Sequence, residues 1–349
     1  MSPSIPVRNA PALPGLTFRR FRGPADYPAM VAILDACNVA DHLDYINTVE
    51  EIASVFAHLT NCDPVRDMLF AEMNGETIAF SRVWWADEDT TRLYISLGFI
   101  HPDWRRKGLG AAMLCYDENH LREIARVHAV PEKIFRAWAT DQEYGALALF
   151  AQTGYTPVRH YVVMTRAMDA PLPNAPMPGG LEVRLVQSDH IRAIWDAQQE
   201  ARRDHWGYRP ATEQDFQRWI SDRLFAPELW QVAWDGDQIA GMVLNRVDRE
   251  QNAQYHRQRG YTQGVFVRRP WRQRGLARAL LTTSIEMFRQ MGMTETALGV
   301  DTQNPHGALN LYESVGYREY KRHTFFNKPM ESEPDILPTV TNFHFEQLQ

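Results

Sequence analysis

The stretch RRPWRQRGLARALL, residues 268–281, sets five arginines around a single glycine and then turns into an apolar run. A strand-like segment rich in β-branched and aromatic residues, YTQGVFV (261–267), precedes it. Where a strand hands over to a helix, unpaired backbone N–H groups and the helix dipole make a natural anion site. Gly275 and Ala277 let an anionic group approach the backbone closely, and the arginines add charge at the rim. The spacing Arg-x-x-Gly-x-Ala is neither the Gly-x-Gly-x-x-Gly of dinucleotide folds nor the Gly-Lys-Ser/Thr of a P-loop. A pyrophosphate suits such a loop better than a duplex does. With 37 Lys and Arg against 43 Asp and Glu, the chain is mildly acidic, which argues against a dedicated nucleic-acid binder.

The stretch has a partner earlier in the chain. HPDWRRKGLGAAML (101–114) aligns with it, Trp104 on Trp271, Arg105 on Arg272, Gly108 on Gly275 and Gly110 on Ala277. The match continues in order: LTFRRF (16–21) with LEVRLV (181–186), ADHLDY (40–45) with RDHWGY (203–208), NGETIA (74–79) with DGDQIA (235–240), and GALALFAQTGY (145–155) with GALNLYESVGY (307–317). The chain is therefore read as two copies of one domain. Residues 1–168 form the first copy, 169–180 a linker rich in proline and glycine, 181–330 the second copy and 331–349 a C-terminal tail.

The second copy shows which elements position the loop. An alternating strand (181–186) leads to helical stretches near 188–204 and 212–224, then to a strand pair turning at Asp235-Gly236. After a polar segment, 250–260, expected as a hairpin loop, come the strand and the arginine loop, a helix to about Met291, a strand TALGV, a short helix over 305–315 and a last strand near 317–326. The order β-α-α-β-β-β-α-β-α-β predicts α/β architecture, in both copies a mixed, mostly antiparallel sheet flanked by helices. At 349 residues, 44% hydrophobic and 23% charged, the chain suits two ordinary globular domains. Three cysteines, Cys37, Cys62 and Cys115, form neither a closed disulfide set nor a metal-ligand pattern, so no metal and a reducing cytoplasm are expected. The proline-rich start lacks the apolar core of a signal peptide, and no run approaches the ~20 apolar residues of a membrane span.

Strand, RQRGLA loop, helix, strand, then Asn304 and GALNLYESVGY together resemble the GNAT superfamily of acyl-coenzyme A-dependent N-acetyltransferases. The resemblance covers roughly 16–168 and 181–328. It implies acetyl-CoA as the donor and places the coenzyme A pyrophosphate on Arg272, Gln273, Arg274, Gly275, Leu276 and Ala277. It further implies pantetheine pairing along Val265, Phe266 and Val267, a cofactor contact at Asn304, and Tyr312 as the acid that protonates the leaving thiolate. In the first copy the loop Arg105, Arg106, Lys107, Gly108, Leu109 and Gly110 is complete and is expected to hold coenzyme A. There, however, Gln142 stands at the asparagine position and Phe150 at the tyrosine position. Phenylalanine cannot donate a proton, so the first copy is expected to keep the fold without ordinary catalysis. Two tandem domains with the second active resemble the mycothiol synthase group, which acetylates a small amino-sugar–cysteine conjugate.

The transfer chemistry asks for an amine presented as a neutral nucleophile, donors for the oxyanion and a proton for the thiolate. The expected base is the weakest point, because YTQGVFV carries no carboxylate where the mycothiol synthase group carries a glutamate. Asp301 and His205 are the candidates, with helix capping and a shared structural role as their plain alternatives. Asp204, Trp206 and Tyr208 are the candidate acceptor contacts, an anion for the ammonium and two flanking rings, with ordinary aromatic packing as the alternative. The expected function is acetyl transfer to a primary amine of a small molecule by the second copy, without a nucleic-acid or membrane partner. An acyl-CoA-binding regulatory module and a protein amino-terminal or lysine acetyltransferase stay open beside it.

Overall fold

The computed structural model describes residues 4–45, 47–88, 91–203, 208, 210–304 and 307–330. In the first copy the elements are β1 (Leu16–Arg19), α1 (Tyr27–Ala40), α2 (Val49–Ala57), α3 (Pro64–Asp67), β2 (Met68–Met73), β3 (Glu76–Glu88), β4 (Thr91–Ile100), α4 (Leu109–Ala125), β5 (Glu132–Thr140), α5 (Tyr144–Gln152) and β6 (Thr156–Ala167). The second copy runs β7 (Glu182–Arg184), α6 (Ile191–Arg202), α7 (Glu213–Ile220), β8 (Gln231–Asp235), β9 (Gln238–Arg246), α8 (Arg249–Gln254), β10 (Arg259–Val267), α9 (Leu276–Gln290), β11 (Glu295–Asp301), α10 (Ala308–Ser314) and β12 (Arg318–Pro329), the same order except that α3 has no counterpart and α8 is inserted between β9 and β10. The α/β class and the mixed, mostly antiparallel sheets stand as expected. Among the described residues only β4/β5 and β10/β11 pair in parallel.

One departure is α8, in the segment 250–260 expected as a loop. Asp248 caps it, its side chain accepting from the Gln251 N–H at 3.0 Å.

All twelve strands belong to one sheet, in the order β1-β2-β3-β4-β5-β12-β6-β11-β10-β9-β8-β7. The two last strands have changed places: β12 pairs with β5 of the first copy, and β6 pairs with β11 of the second. Tyr161 and His323 face each other where β6 and β12 cross the middle. Each half-sheet is covered on both faces. In the second copy α9 and α10 bury Leu276, Leu280, Ile285 and Tyr312 against Val300 and Val243. On the opposite face Ile194, Ala197 and Ala201 of α6 meet Met242, Leu244 and Phe266.

The linker is tied down. Buried Arg166 donates to the carbonyls of Ala170 and Pro171 at 2.8 and 3.0 Å and to that of Val315 at 2.7 Å. A buried polar interlock joins helix to sheet in both copies. Ser81 and Ser96 donate to the Asp117 carboxylate of α4, and in the matching place Asn245 donates to Ser284 of α9 while accepting from Thr262.

Between the copies, the Asp44 carboxylate accepts from Arg257 at 2.6 Å, Lys321 at 3.0 Å and Arg259 at 3.2 Å. Tyr255 and Gln251 donate to the backbone carbonyls of Tyr45 and Asp44. The segment after α1 is thereby fastened to α8, β10 and β12.

Candidate active site

The strand before the arginine loop opens a wedge in the sheet. The parallel β10/β11 ladder runs from Arg259/Glu295 to Thr262/Leu298 and ends there, while β10 continues beside β9 to Val267. The register against β9 skips at this point, leaving Gln263 as a bulge between Thr262 and Gly264. A bulge bends its strand and raises the local twist, turning Gly264–Val267 away from β11. The β4/β5 ladder likewise stops at Ile95/Arg136, but the β3/β4 register is unbroken from end to end, without a bulge.

At the far end of β10 the chain makes a short turn and enters α9 through Gly275, whose φ of 85° lies in the left-handed region. Gln273 is left-handed too, at 60°, and Arg106 and Gly108 repeat the pattern at 61° and 83°. A Cβ at Gly275 would meet nothing within 4 Å, so the space over the helix N-terminus is clear. The first N–H groups of α9 have no intrahelical partner, and Arg274 and Arg278 stand exposed at the rim. These features fit a pyrophosphate. Arg272 is turned the other way. Its Nε donates to the Val267 carbonyl at 2.9 Å, as Arg105 Nε does to Ile100 at 3.1 Å. Arg105 also grips Asp41 through two hydrogen bonds of 2.6 and 2.7 Å. Both arginines anchor the loop to the strand end.

Tyr312 lies on the α9 face of the wedge, buried with Leu276 and Val300 and edge-on to Tyr317. Its hydroxyl is pushed above its ordinary range by burial first and then by the Tyr161 and Tyr317 hydroxyls. A phenol so placed keeps its proton at neutral pH and is protonated when negative charge builds on a thiolate leaving beside it. Phe150 occupies the matching place in the first copy, packed on Phe326 and Tyr155. Asn304 sits just past β11, its backbone N–H bonded to the Asp301 carbonyl at 3.1 Å.

Asp301 is not free to act alone. Its carboxylate accepts from Arg159 at 2.9 and 2.5 Å and from the Gln303 N–H at 3.0 Å, which caps the following turn. Asp204, His205 and Trp206 lie outside the described residues, and Tyr208 is half-buried.

Sequence reading missed the residues that strand exchange delivers from the first copy. Besides Arg159, β6 brings Tyr161, whose ring lies directly over Gly299 of β11; a Cβ there would fall 1.9 Å from its hydroxyl. Tyr161 is 39% exposed over its whole surface, and its hydroxyl, lying against Gly299, is raised by desolvation and then by Asp301. Glycine at 299, inside a strand, is the one local signal that something approaches there.

The sequence profile of the acetyltransferase (GNAT) family matches residues 29–155 and again 191–317, more than half of the chain. The chain belongs to the GNAT acetyltransferase family. As a GNAT protein it is an N-acetyltransferase, and the family's donor is acetyl-CoA. It is similar to a mycothiol acetyltransferase of Geodermatophilus obscurus, 26% identical over 306 residues that span 85% of this chain and 92% of the relative. One from Thermomonospora curvata is 29% identical over 233 residues, 66% of this chain and 72% of the relative. Among solved structures, a GCN5-related N-acetyltransferase from Sphaerobacter thermophilus superposes with a TM-score of 0.67 at 29% identity, covering 94% of this chain and 99% of that one. A tandem GNAT protein from the clavulanic acid biosynthesis pathway shares the fold, with a TM-score of 0.61 at 14% identity over 91% of this chain and 99% of that one. Tandem GNAT architecture of the mycothiol synthase type is thus established for the chain. Among the described residues, no helix is long and apolar enough to cross a membrane and no cluster of His, Cys, Asp or Glu could hold a metal ion.

Proposed function

We propose that the second copy, residues 181–330 completed by β6 of the first, transfers the acetyl group of acetyl-CoA to a primary amine of a small molecule. The observation that carries this reading is the bulge at Gln263, present in β10 and absent from β4, on a strand edge that leads straight to the Gly275 helix terminus. The stretch Val265, Phe266 and Val267, beyond the end of the β11 ladder, would pair with the pantetheine arm. Backbone N–H groups of Gln273 through Ala277 would hold the pyrophosphate, with Arg274 and Arg278 at the rim and Arg272 setting the loop's geometry. Acetyl-CoA supplies the activated thioester. The amine attacks its carbonyl carbon, the carbon–sulfur bond breaks, and Tyr312 protonates the departing thiolate.

No carboxylate of β10 takes the amine's proton, and Asp44, which reaches this region from the first copy, is a poor base. Burial would raise its carboxyl, but hydrogen bonds and charge from Arg257 and Lys321 outweigh that and hold it below its ordinary value. We assign the amine's proton to solvent entering the wedge rather than to Asp301, which Arg159 and the following turn engage.

The first copy keeps the left-handed glycine loop and a splayed edge but lacks the bulge and the acid, so we assign it a binding or supporting role. The test is thiol release from acetyl-CoA by the full chain against a panel of small primary amines, with the acetylated product identified by mass. Turnover with at least one small amine supports the reading. Thiol release independent of any amine, or acetylation confined to peptides, overturns it.

A further inference from the structure

On the β9/β10 face that carries Leu244 and Phe266, the last pair before the bulge is Arg246 and Tyr261, directly opposite each other. The Arg246 guanidinium stands over the Tyr261 ring, 5.6 Å from its centre. Its Nε is buried with no hydrogen-bond partner. A guanidinium offers five donors, and leaving one buried and unmatched is costly unless a ligand takes it.

The surroundings do not supply an anion. Arg257 donates to the Tyr261 hydroxyl at 2.6 Å and to Asp44, and its own Nε is also buried and unpartnered. Asp44 is shared among Arg257, Arg259 and Lys321; Glu295 is held by Arg259 at 2.7 Å; Asp301 is held by Arg159. Each of these carboxylates is therefore engaged, and among the described residues Arg246 has neither counter-charge nor hydrogen bond. Strand rise puts Tyr261 on the order of 10 Å from Gly264, a span that one small molecule can bridge.

We propose that the acceptor carries an oxyanion, a carboxylate or a phosphate, that Arg246 binds over Tyr261 while the acceptor's amine reaches the thioester at Gly264. This rests on the second copy being the acetyltransferase and adds the chemical class of its substrate. Charge-assisted pairing with a planar fork favours such a group over a neutral amide or a sugar hydroxyl.

The test offers the full chain a panel of primary amines, each as its carboxylate, its carboxamide and its phosphate ester, with acetyl-CoA. The anionic forms are expected to exceed the neutral form in kcat/KM by roughly tenfold to a hundredfold. Whichever anion is preferred names the group. R246Q should erase that preference mainly through KM of the acceptor, R246K should retain part of it, and raising the salt should shrink it. Calorimetric binding of coenzyme A by R246Q checks that the variant is folded. Wild-type turnover that ignores the anion overturns the subsite and leaves acetyl transfer standing. A folded R246Q that loses carboxylate and carboxamide acceptors in equal proportion also overturns it, making Arg246 a structural residue. No turnover with any amine overturns the subsite and the acetyltransferase reading together.

Discussion

Tyr312 and Gly299 are the residues on which the catalytic account rests most narrowly. Tyr312→Phe removes only the proton to be given, since the ring's contacts with Leu276 and Val300 survive. Steady-state kinetics should show kcat lower by roughly a hundredfold, the ordinary contribution of a positioned acid, with KM for acetyl-CoA little changed. Equal losses in binding and turnover would assign Tyr312 to packing. At Gly299 the Tyr161 ring leaves no room for a methyl group. Gly299→Ala should therefore cost about 1–3 kcal/mol by overpacking, and Tyr161→Ala in the same chain should recover most of it. A double-mutant cycle by thermal unfolding checks this, and additive losses would mean that the ring does not rest on the glycine.

At the level of helices and strands, the two copies of the duplicated domain differ in one bulge, present in β10 and absent from β4. The repeat, the arginine loop and the order of elements were legible in the sequence because each is a local pattern of spacing. The Gln263 bulge and the splay beyond Thr262 were not, since they depend on how three strands compete for hydrogen bonds. Gly264 alone hinted at them. The polar composition of α8 hides it among loop-like residues, and Asp248, its cap, is the one residue in the sequence that marks its start.

The interlock beneath α4 makes the stability of the chain depend on pH. Burial pushes the Asp117 carboxyl up to about 7, against the hydrogen bonds of Ser96 and Ser81 that favour the charged form. An unfolded aspartate titrates near ~3.9, so between these values the folded chain holds a proton that the unfolded chain has lost. The stability is fully present below ~4 and falls as the pH rises through about 7. Asp117→Asn should flatten that fall, raising the melting midpoint at pH 8 with little gain at pH 4. A difference independent of pH would show that Asp117 does not titrate in this range.

Over the whole molecule, exchange of β6 and β12 makes the two copies mutually dependent, which no local pattern of residues could reveal. Arg159 and Tyr161 belong to the first copy by sequence and to the second copy's wedge by position. The same dependence runs through Asp44, the anionic partner of Lys321, which is 2% exposed, and of Arg259, which is 4% exposed. Asp44→Ala would strand buried charge and should cost about 3–5 kcal/mol, read as a lower midpoint in denaturant. A loss within ~0.5 kcal/mol, typical of a surface change, would mean that the copies are held together without this cluster.

The most direct test of the second copy as the catalytic one compares Gly275→Val with Gly108→Val in the full chain. Both replace a left-handed glycine at a helix start, with φ of 85° and 83°, so their conformational strain is matched. Thiol release from acetyl-CoA with an accepted amine should be lost in Gly275→Val, because the new side chain fills the space over the α9 terminus. It should persist in Gly108→Val. Activity that disappears only in the Gly108 variant would contradict the assignment and move catalysis to the first copy.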